Sequence, residues 1–398
     1  MKAGITHFYA FFISIINKHW EDKIMKFIVK RELMVDGFTK VGKAVSGKSS
    51  IPVLQGFLLE VTQEEINITG SDSSETIKHC IPVDGENVIV HDSGSIILPK
   101  QIENIVKKSN KQIEFSLDGF TTKVKSGKSE FDIICLDATD YPKFPEYDLS
   151  TPSLQLEGEQ FRDLIKKTAF AASTSETRPV LQGICIEVSA GNVNLVCTDS
   201  HRLSRIIHKA QAVQDARIVV PAKTLDNMSK VFDLDKEVHV FIQNEQHILL
   251  RNGQTYYISR LLNDNYPDTS RLIPNDSDGK LKINRQEIVQ GLELIKEIAN
   301  ASDGDKQGVV KLHVNGVASL SSQQAQKGKG KIDLPYDSFE GEELTISFDC
   351  KYALDALKSM DCETVNMSFN GAMRPFLIEP DGEVALAELQ LILPVRTM

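Results

Sequence analysis

Arg178-Pro179-Val180-Leu181-Gln182-Gly183 is the stretch that decides how this chain is organised. Its last five residues repeat the pentapeptide Pro52-Val53-Leu54-Gln55-Gly56, which lies 127 positions earlier, and each copy runs into an apolar segment. Three further pairs recur at nearly the same distance: Asp72-Ser73 with Asp199-Ser200, Tyr141-Pro142 with Tyr266-Pro267, and Leu98-Pro99 with Val220-Pro221. A period of about 125 residues is the size of a domain, so the sequence predicts duplicated domains and not a solenoid of short repeats.

A third unit follows that keeps the pattern without the repeated words. Ile288, Leu292 and Ile295 recur at helical spacing, and Gly308 lies 125 positions after Gly183. We therefore expect three domains, over residues 25–149, 150–275 and 276–398. Because each unit has two helices among many short strands with short turns, the predicted class is α+β with largely antiparallel sheets.

Single elements of the first unit can also be predicted. Met34, Phe38 and Val41 recur at helical spacing and indicate the first helix. The apolar run over residues 51–61 predicts one strand. Leu98-Pro99-Lys100 is expected to open the second helix, because proline in the first helical turn loses little by lacking an N–H.

The composition bounds the class of protein. Of 398 residues, 41% are hydrophobic and 25% are charged, as in an ordinary globular protein that is long enough for several cores. No apolar run in the sequence reaches the length of a membrane span. A formal net charge of −10 argues against a simple basic nucleic-acid binder, although a total does not describe single faces. The six cysteines form no CxxC pair and have no zinc spacing, which predicts no metal site and fits a reducing cytoplasm.

Residues 1–24 do not match the rest of the chain. Residues 8–16 are apolar and aromatic, and the single tryptophan, Trp20, follows them. Because only one lysine precedes this segment and no small-residue cleavage site follows it, the segment differs from a signal peptide. We expect a leader outside the fold, with the folded protein beginning at Met25.

The segment from Gly42 to Ser49 matches the phosphate-loop pattern GxxxxGK[ST] letter for letter. That loop binds phosphates when it follows a strand and opens a helix, so that backbone N–H groups and the helix N terminus meet the ligand. Here the predicted helix precedes the pattern and the predicted strand follows it. A nucleotide-binding ATPase is therefore the disfavoured alternative.

The run Thr198-Asp199-Ser200-His201-Arg202 places Asp, Ser and His side by side. A hydrolytic triad is assembled from distant positions, and neighbours on a strand point to opposite faces, so a catalytic role is poorly supported. Two other interpretations stay open. The run forms a strand-end turn with local side-chain hydrogen bonds, or His201 and Arg202 form the polar rim of a binding groove.

Lysines accompany all six predicted helices, as Lys40 and Lys43 do in the first and Lys166 and Lys167 in the third. For any single helix, a solvated face is the simpler explanation. Recurrence on all six indicates a basic surface that an acidic protein could present to phosphates.

Several words of the sequence together carry a family resemblance. They are Met25-Lys26-Phe27, the repeated pentapeptide, and the segments CTDSHRL at 197–203, NYPD at 265–268 and LPVR at 393–396. Over residues 25–398 the chain closely resembles the sliding clamps, the beta subunits of bacterial DNA polymerase III. The resemblance implies three repeated DNA-clamp domains in a head-to-tail homodimer, with antiparallel sheets outside and helices lining a ring. It implies no catalytic residues, no metal and no cofactor.

The resemblance also implies partners, namely encircled double-stranded DNA read without sequence preference, the replicative DNA polymerase, the clamp loader and other proteins with a clamp-binding peptide. No membrane partner is expected. The residues expected to face DNA are Lys48 and Arg178 by family match, and Lys40, Lys43, Lys100, Lys166 and Lys167 from their helices. The residues expected in a peptide groove between domains two and three are Leu181, Thr198, Ser200, His201, Arg202, Leu203, Pro267, Arg271, Leu272, Pro375, Leu391, Leu393, Pro394, Val395 and Arg396.

Some features depart from the family pattern. Residues 326–331, Gln-Lys-Gly-Lys-Gly-Lys, are basic and glycine-rich where acidic residues are expected. Val395 stands where the family often has methionine, so we expect the groove to adapt less to varied peptides. Besides the ATPase, the other alternative is a tandem-domain scaffold that does not bind DNA.

Overall fold

The computed structural model describes residues 24–143, 147–189, 191–212, 215–243, 246–262, 265–299, 308–325, 327–382 and 387–396. Within it the chain divides into two compact units. Unit one comprises the described residues of Met1–Thr151 and Val231–Arg260, and unit two those of Pro152–Lys230 and Leu261–Met398. Residues 1–23 of the predicted leader, and Gln326 of the basic segment, lie outside the described residues.

The elements follow one order three times. The first repeat consists of β1 (Ile24–Lys30), α1 (Arg31–Val41), β2 (Gly56–Val61), β3 (Glu65–Ser71), β4 (Glu75–Pro82), β5 (Val88–Asp92), β6 (Gly94–Pro99), α2 (Ile102–Lys108), β7 (Gln112–Asp118), β8 (Thr121–Ser126) and β9 (Ser129–Ile134). The second consists of β10 (Leu154–Leu156), α3 (Gly158–Ala169), β11 (Gly183–Ser189), β12 (Asn192–Thr198), β13 (Arg202–Lys209), β14 (Gln211–Ala212), β15 (Ala216–Pro221), α4 (Ala222–Ser229), β16 (Val238–Gln243), β17 (His247–Asn252) and β18 (Thr255–Arg260). The third consists of β19 (Gly279–Asn284), α5 (Arg285–Ala299), β20 (Val309–Val314), β21 (Ala318–Gln324), β22 (Gly328–Leu334), β23 (Ser338–Glu340), β24 (Leu344–Asp349), α6 (Cys350–Ser359), β25 (Thr364–Phe369), β26 (Phe376–Pro380) and β27 (Ala387–Ile392). Each repeat thus has a strand, a helix, five strands, a helix and three strands, which confirms the α+β class and the third repeat.

Helix α1 shows how the helices are fixed to the sheets. Its apolar stripe, Met34, Phe38 and Val41, is buried as the spacing predicts. Gly37 lies on the same face, and a Cβ at this position would come within 2.7 Å of Ile68 Cδ1. The helix can therefore lie directly against the sheet because residue 37 has no side chain.

Both copies of the repeated pentapeptide begin as a 3₁₀ turn. Pro52–Gln55 and Pro179–Gln182 form these turns, and strands β2 and β11 start only at the glycine that follows. The prediction of one strand over residues 51–61 is therefore wrong for its first half. Proline lacks the N–H that a strand ladder needs, and its fixed φ suits a helical turn.

The prolines before the second helices end strands. Pro99 is the last residue of β6, and α2 begins at Ile102. Pro221 likewise ends β15, directly before α4. The prediction that Leu98-Pro99-Lys100 opens the second helix is therefore wrong, because proline stands at the strand terminus, where a missing ladder donor is tolerated.

The repeated Asp-Ser word forms a tight turn. Asp199 Oδ1 accepts hydrogen bonds from the N–H groups of His201 (2.9 Å) and Arg202 (3.0 Å). Ser200, between Asp199 and His201, has a φ of 78°, and Ser73 in the first repeat has a φ of 80°. Local hydrogen bonds therefore hold a non-glycine residue in the left-handed region, and the strand-end turn is the interpretation that the geometry supports.

The phosphate-loop pattern does not have the structural setting of a phosphate loop. Helix α1 ends at Val41, Gly42 caps it, and the next regular elements are the 3₁₀ turn and β2. The observed order is α-helix, loop, 3₁₀ turn and strand, so no α-helix N terminus follows the loop.

Unit one contains two antiparallel sheets. The first has the order β5-β1-β7-β8-β9, and the second includes β16-β17-β18-β4-β3-β2-β6. In the second sheet a strand of the second repeat, β18, pairs with β4 of the first, which places Tyr257 opposite Ile77. The ninth strand of one repeat therefore extends the sheet of the preceding repeat through its fourth strand.

Unit two repeats this junction. One sheet has the order β15-β11-β12-β13-β27-β26-β25-β19-β23, and the other has the order β22-β21-β20-β24. Here β27, the ninth strand of the third repeat, pairs with β13, the fourth strand of the second, and Gln390 lies opposite Ser204. Within the described sheets, β9 and β22 are the ninth and fourth strands left at an edge.

The helices of the third repeat cover a continuous core. Leu292 of α5, Leu357 of α6 and Phe348 of β24 are fully buried in it. Burial of this kind is the main force that holds helices on sheets. None of the helices that the structure describes is long and apolar enough to cross a membrane.

Candidate functional site

A second apolar cluster of unit two combines residues from the repeated words and from the chain end. We call it the groove cluster, and its buried members are Leu181, Cys185, Val196, Leu203, Val219, Tyr266, Leu377, Leu389 and Leu391. Val180, Leu262 and Ile273 pack against it and are half-buried.

Strand pairing brings the predicted Leu203 and Leu391 together with Leu377, which the sequence analysis did not identify. Leu203 of β13 lies opposite Leu391 of β27, and Leu391 lies opposite Leu377 of β26. Residues that are directly opposite each other share one face of a sheet, so these three side chains are neighbours. The 3₁₀ turn adds Leu181, which is buried in the same cluster.

Tyr266 connects the proline-containing loop to this face. Its phenol oxygen accepts a hydrogen bond from the N–H of Thr198 at 3.0 Å. Burial raises the pKa of Tyr266, so the phenol stays neutral. The adjacent Pro267 is exposed, and the loop places it at the border of the groove cluster.

The chain end is tied to the sheet. The N–H of Leu393 donates to the carbonyl oxygen of His201 at 2.9 Å, and the N–H of Val395 donates to the carbonyl oxygen of Ser347 at 2.7 Å. These bonds hold the tail, yet the Leu393 residue remains 38% exposed. Pro394 and Val395 are half-buried, and Arg396 is exposed.

The border of the groove cluster exposes apolar and charged side chains. Leu272 is 52% exposed, and Pro375 is half-buried. The Arg271 side chain is 89% exposed, and its Nε lies 3.6 Å from Asp268 Oδ2. This arrangement of buried leucines with an exposed apolar and cationic border suits capture of a short peptide.

Arg202 is a structural residue and does not stand at the border. Its Nε donates to Asp199 Oδ2 at 3.0 Å, and its Nη1 donates to Asp355 Oδ2 at 2.6 Å. Its Nη2 donates to the carbonyl oxygen of Phe170 at 2.6 Å, and the guanidinium lies 4.5 Å from the centroid of the Tyr352 ring. With its side chain 8% exposed, Arg202 has no free face for a ligand, which corrects the expectation that it forms a polar rim.

The neighbours of Arg202 differ in exposure. Thr198 is buried, and its hydroxyl donates to the carbonyl oxygen of Arg202 at 2.6 Å. Ser200 and His201 are exposed, and the His201 ring stacks on Tyr352 at 6.3 Å between centroids. The Ser200 hydroxyl also accepts from Arg178 Nη1 at 3.3 Å. Ser200 and His201 can therefore reach a ligand, whereas Thr198 supports the turn.

Two of the predicted DNA-facing lysines are held in ion pairs. Lys40 Nζ lies 2.9 Å from Asp36 Oδ2 and 3.0 Å from Asp233 Oδ1, with 12% of its side chain exposed. Lys167 Nζ lies 3.1 Å from Glu388 Oε2 and 3.3 Å from Asp361 Oδ2, with 9% exposed. Because paired carboxylates already neutralise them, these two ammonium groups are the poorest candidates for phosphate contact.

The other predicted DNA-facing side chains differ in their freedom. Lys43, Lys48 and Arg178 are exposed. Lys166 is exposed too, with Nζ 3.6 Å from Asp361 Oδ1. Lys100 is half-buried and donates to the carbonyl oxygens of Val45 and Gly42, so it stabilises the loop after α1.

The buried thiols have no nucleophilic character. Burial raises the pKa of Cys80 and of Cys185 to about 11, and that of Cys350 to about 12. At neutral pH these groups are protonated, and only a thiolate attacks or binds a metal. Among the described residues, no group of three His, Cys, Asp or Glu side chains is placed to hold a metal ion.

Sequence reasoning missed several members of the site. Val180 and Tyr266 lie within the repeated words, so their recurrence could have identified them. Ile273 and Tyr352 carry no such signal, because tertiary packing alone brings them to the groove cluster and to Arg202. Asp355 also carries no such signal, because only the fold brings it to Arg202, from which it is distant in sequence.

Comparison with known proteins identifies the family of this chain. Family models for the N-terminal, central and C-terminal domains of the DNA polymerase III beta subunit match residues 25–145, 155–268 and 270–396. The beta sliding clamp of Bacillus subtilis is 37% identical over 384 residues, which are 94% of this chain and 100% of that protein. That of Staphylococcus aureus is 34% identical over 383 residues, with the same coverage of 94% and 100%.

Solved structures agree with the sequence comparison. The DNA polymerase sliding clamp from Bacillus subtilis superposes with a TM-score of 0.89 at 36% identity, covering 94% of this chain and 100% of that one. The beta chain of DNA polymerase III from Streptococcus pneumoniae gives 0.89 at 34% identity, with the same coverage. The matches span all three repeats and both candidate sites, and the chain therefore belongs to the beta subunit, or sliding clamp, family of DNA polymerase III.

Proposed function

We propose that this protein is a DNA sliding clamp that encircles duplex DNA and tethers the replicative DNA polymerase and other replication and repair proteins to it. The observation that carries the proposal is the rule by which the repeats join, since the ninth strand of one repeat pairs with the fourth strand of the preceding repeat at both junctions. Among the strands that the structure describes, this rule leaves one ninth strand, β9, and one fourth strand, β22, without such a partner.

A second copy can satisfy both free strands. If β9 of one copy pairs with β22 of the other, the rule continues across the contact, and the symmetric second contact closes a ring of six repeats. Such a head-to-tail pairing also removes two exposed sheet edges, which are otherwise prone to uncontrolled pairing.

The ring would retain DNA by topology and not by sequence readout. The exposed cations Lys43, Lys48, Lys166 and Arg178 supply weak, salt-dependent contacts to phosphates. An acidic chain with a net charge of −10 binds DNA in this way only where its cations are gathered on one face.

The groove cluster is the proposed docking site for partner peptides. Buried leucines such as Leu203 and Leu391 provide an apolar floor, while Leu272, Leu393 and His201 remain accessible at the border. Short segments of the polymerase and of the clamp loader, with a glutamine followed by apolar anchors, would compete for this site.

The protein acts without catalysis of its own, as a processivity subunit in the cytoplasm. Its buried thiols are suited to a reducing compartment. Nucleotide binding at the segment from Gly42 to Ser49 stays disfavoured, because the observed helix-loop-strand order lacks the helix N terminus that would face a phosphate.

Retention on circular DNA tests the proposal. Labelled protein is loaded by a clamp loader onto a nicked circular plasmid, separated from free protein by gel filtration, and then exposed to a restriction enzyme that cuts the circle once. We expect stable retention on the circle and loss of at least about nine-tenths of it after cutting, because a topological link ends when the DNA gains ends. A linear plasmid with both ends blocked by bound protein is the control and should retain the clamp. Equal retention on the uncut circle and on the cut DNA, whose ends are free, would refute the clamp function.

A further inference from the structure

Within the described sheets, two of the edge strands, β9 and β22, carry opposite charges. Strand β9 contains Glu130 and Asp132, and strand β22 contains Lys329 and Lys331, all four of them exposed. A directly opposed pair of opposite charges stabilises antiparallel strands, whereas a directly opposed pair of like charges destabilises them. The register in which the strands meet therefore decides whether these charges attract.

The internal repeat identifies the residue of β9 that governs this register. Phe131 lies opposite Val124 in β8, as Tyr257 lies opposite Leu250 and Gln390 lies opposite Ile378 in the later repeats. Tyr257 is 0% exposed and Gln390 1%, because β4 and β13 cover them. Phe131, which has no neighbouring strand on its outer side, is 41% exposed.

The matching residue of β22 is Gly330. It lies opposite Ser322 in β21, as Ile77 lies opposite Gly70 and Ser204 lies opposite Cys197 in the earlier repeats. At the two internal junctions these positions meet, since Tyr257 faces Ile77 and Gln390 faces Ser204. The same register at an intermolecular junction sets Phe131 opposite Gly330.

Gly330 also explains the fit of a large aromatic neighbour. A Cβ on Gly330 would lie 2.8 Å from Ile295 Cδ1, so helix α5 packs closely over this position. A glycine leaves room for the ring of Phe131 at the edge of that helix, and burial of an exposed phenylalanine adds apolar stabilisation.

We propose that two copies of this chain join in one register, with Phe131 of one copy opposite Gly330 of the other, Glu130 opposite Lys331, and Asp132 opposite Lys329. This inference rests on the proposed clamp function and specifies its subunit contact. Antiparallel pairing fixes the two ionic pairs once the Phe131–Gly330 pair is fixed, and both lie on the sheet face that Phe131 does not occupy.

The internal junctions lack such charge pairs. The positions that correspond to Glu130 and Lys331 are Tyr256 and Lys78 at one junction, and Leu389 and Arg205 at the other. The covalent chain holds those junctions together, so only the junction between copies needs a charge pattern to select its partner and register. The basic, glycine-rich segment departs from the family pattern. On this proposal its lysines in β22 pair with the acidic residues of β9.

Both sides of the contact are already ordered by pairs within one copy. Glu130 Oε1 lies 3.0 Å from Lys123 Nζ, and this hydrogen bond holds the pKa of the Glu130 carboxyl below its usual value. Lys331 Nζ lies 3.2 Å from Asp333 Oδ1. The contact would therefore join two short ion-pair rows into a network, which is the arrangement in which exposed ion pairs contribute to stability.

Charge reversal on one edge at a time tests the register with the full chain. In Glu130→Lys/Asp132→Lys both edges are basic, and in Lys329→Glu/Lys331→Glu both are acidic. We expect each variant alone to dimerise at least about 100-fold more weakly than the unchanged protein in sedimentation equilibrium at low salt, because two contacts per ring become repulsive. Lys311→Glu, a reversal at an exposed residue of β20 in the same sheet as β22, is the matched control and should leave the dimerisation constant unchanged.

Mixing supplies the decisive result. An equimolar mixture of the two double variants should restore dimers that contain one copy of each, which native mass spectrometry resolves by a tag on one of them. A single chain that carries all four reversals should form homodimers again. Circular dichroism melts establish that each double variant is folded before mixing.

Two outcomes would overturn the proposed register and leave the clamp function supported. In the first, the folded variants dimerise as strongly as the unchanged protein. In the second, the folded variants do not form mixed dimers. In both cases the unchanged protein still stays on circular DNA and leaves cut DNA. Failure of the unchanged protein to form dimers at micromolar concentration would instead contradict the clamp function itself.

Discussion

The Nη1 of Arg202 donates to Asp355 Oδ2 at 2.6 Å, although the two residues are 153 positions apart in the chain. The same guanidinium also donates to Asp199 and to the carbonyl oxygen of Phe170 and stacks on Tyr352. One side chain thus fixes the turn beside the groove cluster to helix α6. We therefore expect the groove to depend on this contact for its shape, although Arg202 itself is not available to a ligand.

Arg202→Ala should therefore destabilise the protein and weaken peptide binding indirectly. Removing one partner of a buried ion pair typically costs about 3–5 kcal/mol, so we expect a decrease in Tm of at least about 5 °C. Arg271→Ala is the control, because that side chain is 89% exposed, and its Tm should not change measurably. Differential scanning calorimetry of both variants measures this difference, and equal Tm values would show that Arg202 is not a structural residue.

Removal of residues 393–398 should abolish peptide binding while the dimer persists. The tail supplies Leu393 and Val395 to the groove border and is held by backbone hydrogen bonds to His201 and Ser347. The groove leucines themselves belong to strands that remain. Fluorescence anisotropy with a labelled peptide that contains a glutamine followed by apolar anchors measures affinity, and we expect a decrease of at least about 100-fold, because the accessible apolar side chains of the tail are lost together. Leu294→Ala, a change at a 65% exposed residue of α5, should bind as the unchanged protein does. Undiminished affinity of the truncated protein would show that the groove is misplaced.

Lys48 and Lys40 should separate DNA contact from stability. Lys48→Ala removes an exposed cation, so we expect a smaller salt dependence of DNA binding, by about one unit of slope per lost phosphate contact, and an unchanged Tm. Lys40→Ala leaves Asp36 and Asp233 without their shared cation, so we expect a lower Tm and an unchanged salt slope. Anisotropy titrations over a range of salt concentrations, together with thermal melts, measure both quantities. A smaller salt slope for Lys40→Ala together with a lower Tm for Lys48→Ala would show that Lys40 contacts DNA and that Lys48 stabilises the fold.

His79 should make unit one less stable in mild acid. Burial lowers its pKa from 6.5 to about 4, and only part of that effect is offset by Asp36, whose carboxylate is 3.6 Å away. Between pH 6.5 and about 4 the unfolded chain therefore binds a proton that the folded chain does not, so the free energy of unfolding falls as pH falls through this window. Its Nδ1 also lies 2.9 Å from Thr255 Oγ1.

Replacing His79 by glutamine isolates this contribution. His79→Gln keeps a polar group near Thr255 but cannot be protonated, so we expect its stability to change less between pH 6.5 and 4.5 than that of the unchanged protein. The expected difference is on the order of 2–3 kcal/mol at most, because one pKa unit corresponds to about 1.4 kcal/mol. Urea unfolding at both pH values, followed by circular dichroism, measures it. Identical pH dependence in the two proteins would mean that carboxylates alone cause the acid sensitivity.

The repeats could be predicted from the sequence because their signals are local. Backbone turns need particular residues at particular positions, and the pentapeptide with its proline and the Asp-Ser word mark the same 3₁₀ turn and the same left-handed serine in two repeats. The apolar stripe of α1 likewise follows from helical periodicity alone. Errors arose where a proline served a strand end and not a helix start, since both positions tolerate a residue without an N–H.

Only part of the candidate site could be predicted, because the motifs shared with the family contain its leucines but not the residues that hold them in place. Leu181, Leu203 and Leu391 were identified in sequence and meet in one cluster. Arg202 was assigned to a polar rim, because its nearest partners in space, Asp355 and Tyr352, are more than a hundred positions away. Exposure and charge pairing are properties of packed neighbours, which periodicity cannot reveal.

The sequence by itself determined the number of repeats, the α+β class and most of the chemically distinctive residues, since these depend on short-range backbone and side-chain preferences. Only the tertiary structure decided which lysines are neutralised by carboxylates, which of the described strands lie at a sheet edge, and which residues of neighbouring strands face each other. Phe131 and Gly330 illustrate the difference. In sequence they are an ordinary phenylalanine and an ordinary glycine, and their correspondence to Tyr257 and Ile77 becomes visible only through strand register, because hydrogen-bonded ladders align residues that the chain keeps far apart.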